Sequence, residues 1–328
     1  MTRANIGMTG LLLCIGLAGC EQEVILEGER FPVRAPLEDS VPVDGQAAPI
    51  AALAPANRAV PISVPGQSNF AEWSHRGGSA THSAGNGALT ATPQRVWSVK
   101  IGTGSSRRDR ITAAPVVSGG RVFAMDSASH VSAVTTGGAL LWSVSVLPEF
   151  DKGGSVSGGG LAVQGKQVFA TTGYGELIAL DAATGRIVWR QRFDAPVTGA
   201  PTVSGNAVYA IGTDGSAMAA STANGKLMWQ IPGTSTDHGA IAGASPVVNG
   251  AEILFPFATG EIAAVSADGG ERTWGAAVAG KRLGRAYAAL GDVTGDPVVV
   301  GGVVYAGTSG GRTVAIDATT GMRLWVAN

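Results

Sequence analysis

The chain has 328 residues, of which 14% are charged, and a net charge of -1. That balance leaves no basic surface to neutralise phosphates, so a nucleic-acid partner is excluded. The 49 glycines, set among many valines and alanines, suit short strands and tight turns rather than helices.

At the N-terminus, Arg3 precedes an apolar stretch over residues 6–17, too short to span a bilayer and built like the core of an export signal. The stretch ends in Leu17-Ala18-Gly19-Cys20. Small residues before a cysteine resemble the bacterial lipoprotein signal, in which the thiol is diacylated and the cysteine becomes the new N-terminus. Residues 1–19 are therefore expected to be the signal peptide and Cys20 the lipidation site. Two acyl chains anchor stably where one is marginal. Glu21 stands where lipoproteins kept at the inner membrane often carry aspartate, which favours the outer membrane. The two cysteines are Cys14 and Cys20, and processing removes the first, so neither a disulfide nor a thiol-ligated metal is expected in the mature chain.

Residues 20–69 change composition, with prolines at 32, 36, 42, 49, 55, 61 and 65. Proline removes a backbone donor and stiffens the chain, so this stretch reads as an extended tether. Within it, Val24-Ile25-Leu26 is apolar enough to dock somewhere.

Residues 70–328 are repetitive. Tryptophan returns at Trp97, Trp142, Trp189, Trp229, Trp274 and Trp325, at intervals of 45, 47, 40, 45 and 51 residues, and the last five carry a glycine four positions earlier. Units of this period cannot bury their apolar surface alone and must stack. Each unit holds a short valine run, as at Pro115-Val116-Val117, Pro246-Val247-Val248 and Pro297-Val298-Val299. A second apolar run follows, as at Val168-Phe169-Ala170, then a third, then the tryptophan strand. Four short strands joined by hairpins predict a β-propeller blade, and the chain is all-β. In Asp181-Ala182-Ala183-Thr184-Gly185 and Asp317-Ala318-Thr319-Thr320-Gly321 the aspartate is expected to accept hydrogen bonds from following amides, with glycine supplying a positive φ. Tryptophan, on the outermost strand, is expected to pack against the next blade.

The spacing Ala-x-Asp-x-x-Thr-Gly-x-x-x-Trp, complete at Ala179 to Trp189 and at Ala315 to Trp325, resembles the tryptophan-docking repeat of pyrroloquinoline-quinone-type propellers. Together with the lipoprotein signal and the tether, the chain resembles the BamB family, lipoproteins of the outer-membrane β-barrel assembly machinery, particularly its alphaproteobacterial forms. The resemblance implies a non-catalytic scaffold at the periplasmic face of the outer membrane. It would bind BamA and other assembly components, and unfolded outer-membrane proteins are possible clients. It also implies eight four-stranded antiparallel blades. Five complete blades and one closing strand, residues 94–101, are legible here, so on that count on the order of 110 further residues are wanting after Asn328.

Family members carry an Asp-Val-Asp loop before a Pro-Val-Val strand, on the face that meets a periplasmic domain of BamA. Asp292 matches the first aspartate and Thr294 replaces the second, and these two residues are the expected partner-binding positions. The family's arginine-bearing loop one blade earlier falls on Ala240-Ile241-Ala242, without its arginine.

Enzymatic quinoproteins with this repeat need a calcium site, a catalytic aspartate and, in many, adjacent cysteines. Those cysteines are absent. Asp109, Asp181, Asp214, Asp268 and Asp317 fall in or near turns, where backbone hydrogen bonding accounts for them. The run Gly291-Asp292-Val293-Thr294-Gly295-Asp296 mimics a calcium loop, but Pro297 stands where such loops need glycine and no glutamate closes the site. His75, His82, His130 and His238 have no metal-ligand spacing, and His75 and His82, in a Gly/Ser-rich stretch, read as solvated loop residues. Arg107-Arg108-Asp109-Arg110 reads as a solvated interblade loop. No catalytic, cofactor or metal residues are assigned. Two other readings share the repeat: a quinone-dependent dehydrogenase, and a periplasmic ligand-binding or sensor propeller.

Overall fold

The structure, a computed structural model, describes residues 62–107, 109–150, 156, 158–233, 243–280 and 293–327. Among these residues, twenty strands form five four-stranded antiparallel sheets, each in simple chain order. The first holds β1 (Val116–Ser118), β2 (Arg121–Met125), β3 (His130–Thr135) and β4 (Leu140–Ser145). The second holds β5 (Leu161–Gln164), β6 (Gln167–Thr172), β7 (Glu176–Asp181) and β8 (Ile187–Arg192). The third holds β9 (Thr202–Ser204), β10 (Ala207–Ile211), β11 (Ala217–Ser221) and β12 (Leu227–Ile231). The fourth holds β13 (Val247–Asn249), β14 (Glu252–Phe257), β15 (Glu261–Ser266) and β16 (Arg272–Ala277). The fifth holds β17 (Val298–Val300), β18 (Val303–Gly307), β19 (Thr313–Asp317) and β20 (Arg323–Ala327).

The core lies between successive sheets. Phe123, Met125 and Val131 of the first sheet cluster with Leu161, Val168 and Ile178 of the second. Phe169 and Leu177 face the other way and cluster with Val203, Val208 and Met218 of the third. A middle sheet is thus covered on both faces, which is why its strands read as unbroken apolar runs rather than as alternations. At full burial such side chains contribute roughly 1.5–3 kcal/mol each.

The aspartate turns form as the sequence predicts. Asp181 Oδ1 accepts from Ala183 N at 3.1 Å, Thr184 N at 2.9 Å and Thr184 Oγ1 at 2.8 Å. Asp317 repeats the pattern with Thr319 and Thr320. These donors hold both carboxyls below the ordinary aspartate range. Each sheet also carries a register shift in its third strand, opposite the residue before the tryptophan, for example between Ala179 and Leu180. That extra residue twists the outer strand as a bulge does.

The tryptophans dock across sheets, and the glycine they need belongs to the following sheet. A Cβ on Gly185 would lie 2.6 Å from the Trp142 ring, on Gly225 2.6 Å from Trp189, on Gly270 2.8 Å from Trp229, and on Gly321 2.6 Å from Trp274. The indole N–H donates to the carbonyl at the start of the same turn: Trp142 to Ala182, Trp189 to Thr222 and Trp229 to Ala267, at 2.9 to 3.2 Å. Trp274 departs from the pattern. Its Nε1 is buried without a partner, and the matching Ala318 carbonyl accepts from Asn249 Nδ2 at 2.7 Å.

Residues 94–101, expected as a closing strand, join no ladder. Trp97 docks all the same, its ring over Gly138 and its N–H donating to Thr136 O at 2.9 Å. Docking therefore requires the ring and the turn, not a completed sheet around the tryptophan. Trp325, in the fifth sheet, stays 47% exposed and rests on Tyr305 with ring centroids 6.0 Å apart.

Candidate functional site

The first strands β1, β5, β9, β13 and β17 are the edge strands of their sheets. An edge strand carries backbone groups that need partners. Residues 73–82 supply them. Trp73 exchanges two hydrogen bonds with Val117 of β1, both 2.8 Å, and Ser74 O accepts from Val163 N of β5 at 2.9 Å. His75 Nε2 meets the backbone of Val203 in β9, 3.0 Å from its N and 3.1 Å from its O. Ala80 O accepts from Val248 N of β13 at 2.9 Å, and Thr81 O from Val299 N of β17 at 3.0 Å. The five valines hold the same position in the five repeats.

This placement overturns the reading of His75 and His82 as solvated loop residues. They are 4% and 5% exposed. His75 Nδ1 lies 2.8 Å from Ser74 Oγ, and Nε2 stands 3.0 Å from Val203 N and 3.1 Å from Val203 O, so the tautomer decides which of the two it bonds. His82 Nδ1 donates to Pro297 O at 2.9 Å. Burial, reinforced by the neighbouring His82, pushes His75 down to about 4, against the pull of the Val203 carbonyl, to which a protonated Nε2 donates. Burial also pushes His82 down, with Asp296 pulling it up.

The segment before β17 is anchored at this hub. Asp296 pairs with Arg76 Nε at 2.9 Å and accepts from Ser245 N at 2.7 Å. Ser245 Oγ in turn accepts from Ala200 N at 3.1 Å. Ala200, Ser245 and Asp296 are the residues before proline in consecutive repeats, so a single chain of hydrogen bonds crosses three sheets. Asp296 is thereby committed to structure. Among the described residues, no group of three or more His, Cys, Asp or Glu side chains is placed to hold a metal. Val293 forms a bridge with Thr308, and Thr294, between that bridge and Asp296, is half-buried. Asp292, residues 240–242, His238, Arg108 and Cys20 lie outside the described residues. Arg107 and Arg110 are exposed, as a solvated loop requires.

A separate cleft of about 210 Å³ runs between the third and fourth sheets, lined by Ile231, Pro232, Phe257 and Thr259. An Arg272–Glu261 ion pair forms part of its wall.

A family model described as outer membrane protein assembly factor BamB matches residues 127–328. The chain belongs to the BamB family. It is 33% identical over 238 residues to the BamB of Salmonella typhimurium strain LT2, covering 71% of this chain and 60% of that protein. The BamB of Escherichia coli strain K12 gives the same identity and coverage. The chain thus spans about 60% of the length of these BamB relatives. Among solved structures, BamB from Moraxella catarrhalis is similar with a TM-score of 0.58 at 24% identity, covering 69% of this chain and 66% of that one. A europium-containing methanol dehydrogenase gives 0.60 at 16% identity, covering 78% and 58%. At such identities both show the fold alone, and the dehydrogenase likeness is one of propeller architecture.

Nothing in the sequence period announces the hub. The available signal was local: a Trp-x-His-Arg-Gly-Gly run, Trp73 to Gly78, too rich in specific residues for a mere connection.

Proposed function

We propose that this chain is a non-catalytic scaffold lipoprotein of the outer-membrane β-barrel assembly machinery. In this reading acyl chains on Cys20 hold it at the periplasmic face of the outer membrane, and the tether gives it reach. The sheets then present the segment carrying Asp292 and Thr294 to BamA. The observation that carries the proposal is the BamB family match over residues 127–328. It is supported by the anchoring of residues 293–297 at the hub, where Arg76 and His82 fix the base of the segment. A preorganised segment loses less entropy on binding.

A photoreactive residue at position 292 or 294, in the full-length protein in cells, is expected to capture the periplasmic domains of BamA. Capture failing while the protein still copurifies with the assembly complex removes this face from the interface. Failure to copurify removes the scaffold reading itself. Supplying pyrroloquinoline quinone and calcium is expected to yield no dye-linked alcohol oxidation; turnover would establish the dehydrogenase reading instead.

A further inference from the structure

Residues 68–88 form a closed loop. Ser68 and Gly87 pair in a parallel bridge, with Ser68 N donating to Asn86 O and Ala88 N to Ser68 O, both at 2.8 Å. The Phe70 and Trp73 rings meet edge to face with centroids 6.1 Å apart. Between these ends the chain visits the inner edges of the five sheets in order. Trp73, Ser74, His75, Ala80 and Thr81 serve β1, β5, β9, β13 and β17.

The step from the third sheet to the fourth is made by Gly77 and Gly78, at φ +83° and +99°. A Cβ on Gly77 would meet the His82 backbone at 3.2 Å, and one on Gly78 the Trp73 ring at 3.3 Å. Gly78 N donates to His75 O at 2.9 Å, closing the turn. Only residues tolerant of the left-handed region fit here.

We infer that the hub formed by β1, β5, β9, β13 and β17 is a peptide-binding site, and that residues 68–88 are its ligand, bound in cis. The recognition chemistry is that of strand-edge capture, with main-chain groups giving affinity and a few side chains giving specificity. Four of the five contacts are made by backbone carbonyls and accept any sequence. The specific elements are the His75 imidazole on Val203, the Arg76 pair with Asp296, the His82 hydrogen bond to Pro297, and the Gly-Gly turn. The ligand class is therefore an extended peptide carrying an imidazole two residues before a Gly-Gly turn. Repeat arrays are coupled through nearest neighbours; this peptide touches all five sheets and couples them directly.

Thr90, Ala91 and Thr92 are exposed and lie outside the closed loop. Replacing residues 89–92 of the full chain with a site-specific protease sequence permits cutting after folding. The expected result is that the N-terminal fragment stays with the body through gel filtration. His75→Ala in the cut protein is expected to release the fragment about tenfold faster, as loss of one buried hydrogen bond predicts. A labelled synthetic peptide of residues 66–90 is expected to exchange into the cut complex, and the same peptide with Gly77→Val and Gly78→Val to fail. The inference is overturned if the fragment leaves while the body keeps the melting temperature of uncut protein, or if the valine peptide enters as readily as the native one.

Discussion

Gly225→Ala is expected to destabilise the protein by about 3 kcal/mol, three times the effect of Gly205→Ala. Both glycines sit in hairpin turns at positive φ, +72° and +61°. An alanine at either one meets the left-handed backbone cost of roughly 1–2 kcal/mol. Here the likeness ends. At Gly205 nothing lies within 4 Å of the new methyl, whereas at Gly225 it would stand 2.6 Å from the Trp189 ring. That ring is held from both sides: it packs on Phe169 at 5.9 Å, and its N–H donates to Thr222 O at 2.9 Å. Moving it opens a junction between two sheets, and overpacking of this kind adds about 1–3 kcal/mol. Urea unfolding of the two variants beside the parent measures the difference. Equal losses would mean that these glycines serve only the turn and not the tryptophan of the preceding sheet.

Acid is expected to weaken the fold through His75, by about 3 kcal/mol between neutral pH and pH 4. The ring is held neutral in the native state, down to about 4, against an ordinary 6.5. Between those values the unfolded chain binds the proton and the native chain does not, so stability falls as pH drops below 6.5 and levels off near 4. The structural reason is burial: the ring is 4% exposed, and a charge placed there loses its water. The charged ring would also face His82 in a site that water does not reach. His75→Gln keeps an acceptor in reach and removes the titration. Unfolding midpoints of parent and variant from pH 7.5 to 4.5 provide the check. His82 remains in both proteins, so the variant should lose about one proton's share of the slope, roughly 1.4 kcal/mol per pH unit. An unchanged slope would place the acid sensitivity elsewhere.

The blades were legible because every one of them repeats the same local chemistry. Asp181 and Asp317 turn the chain through their own following amides, a contact of three residues that any sequence reader can see. The partner of each tryptophan was less accessible. Gly225 and Trp229 are four residues apart and invite pairing in one's mind, yet Gly225 seats Trp189 and Trp229 is seated by Gly270. A fixed spacing in every repeat carries no information about which copy of the glycine meets which copy of the ring.

Asp296 shows the same difficulty from another side. Its neighbours suggested calcium chemistry, but the residues it serves are Arg76 and Ser245, neither of them near it in sequence. The burial of His75 and His82 is hidden in the sequence for a related reason. Glycine and serine around them are loop composition, and loops usually lie at the surface. This one is buried because it satisfies backbone groups at the inner edges of five sheets, which burial would otherwise leave unpaired.

By itself the sequence determined that the chain is all-β, that its blades have four strands, where each blade turns, and that tryptophan joins the blades. Each of these rests on chemistry that recurs once per repeat, the tryptophan contact reaching one repeat further on. The tertiary structure alone decided what lies at the hub. The His75 contact with Val203 spans 128 residues and that of His82 with Pro297 spans 215. A segment used once, to complete edges that only exist after five sheets have assembled, leaves no period in the chain from which to read it.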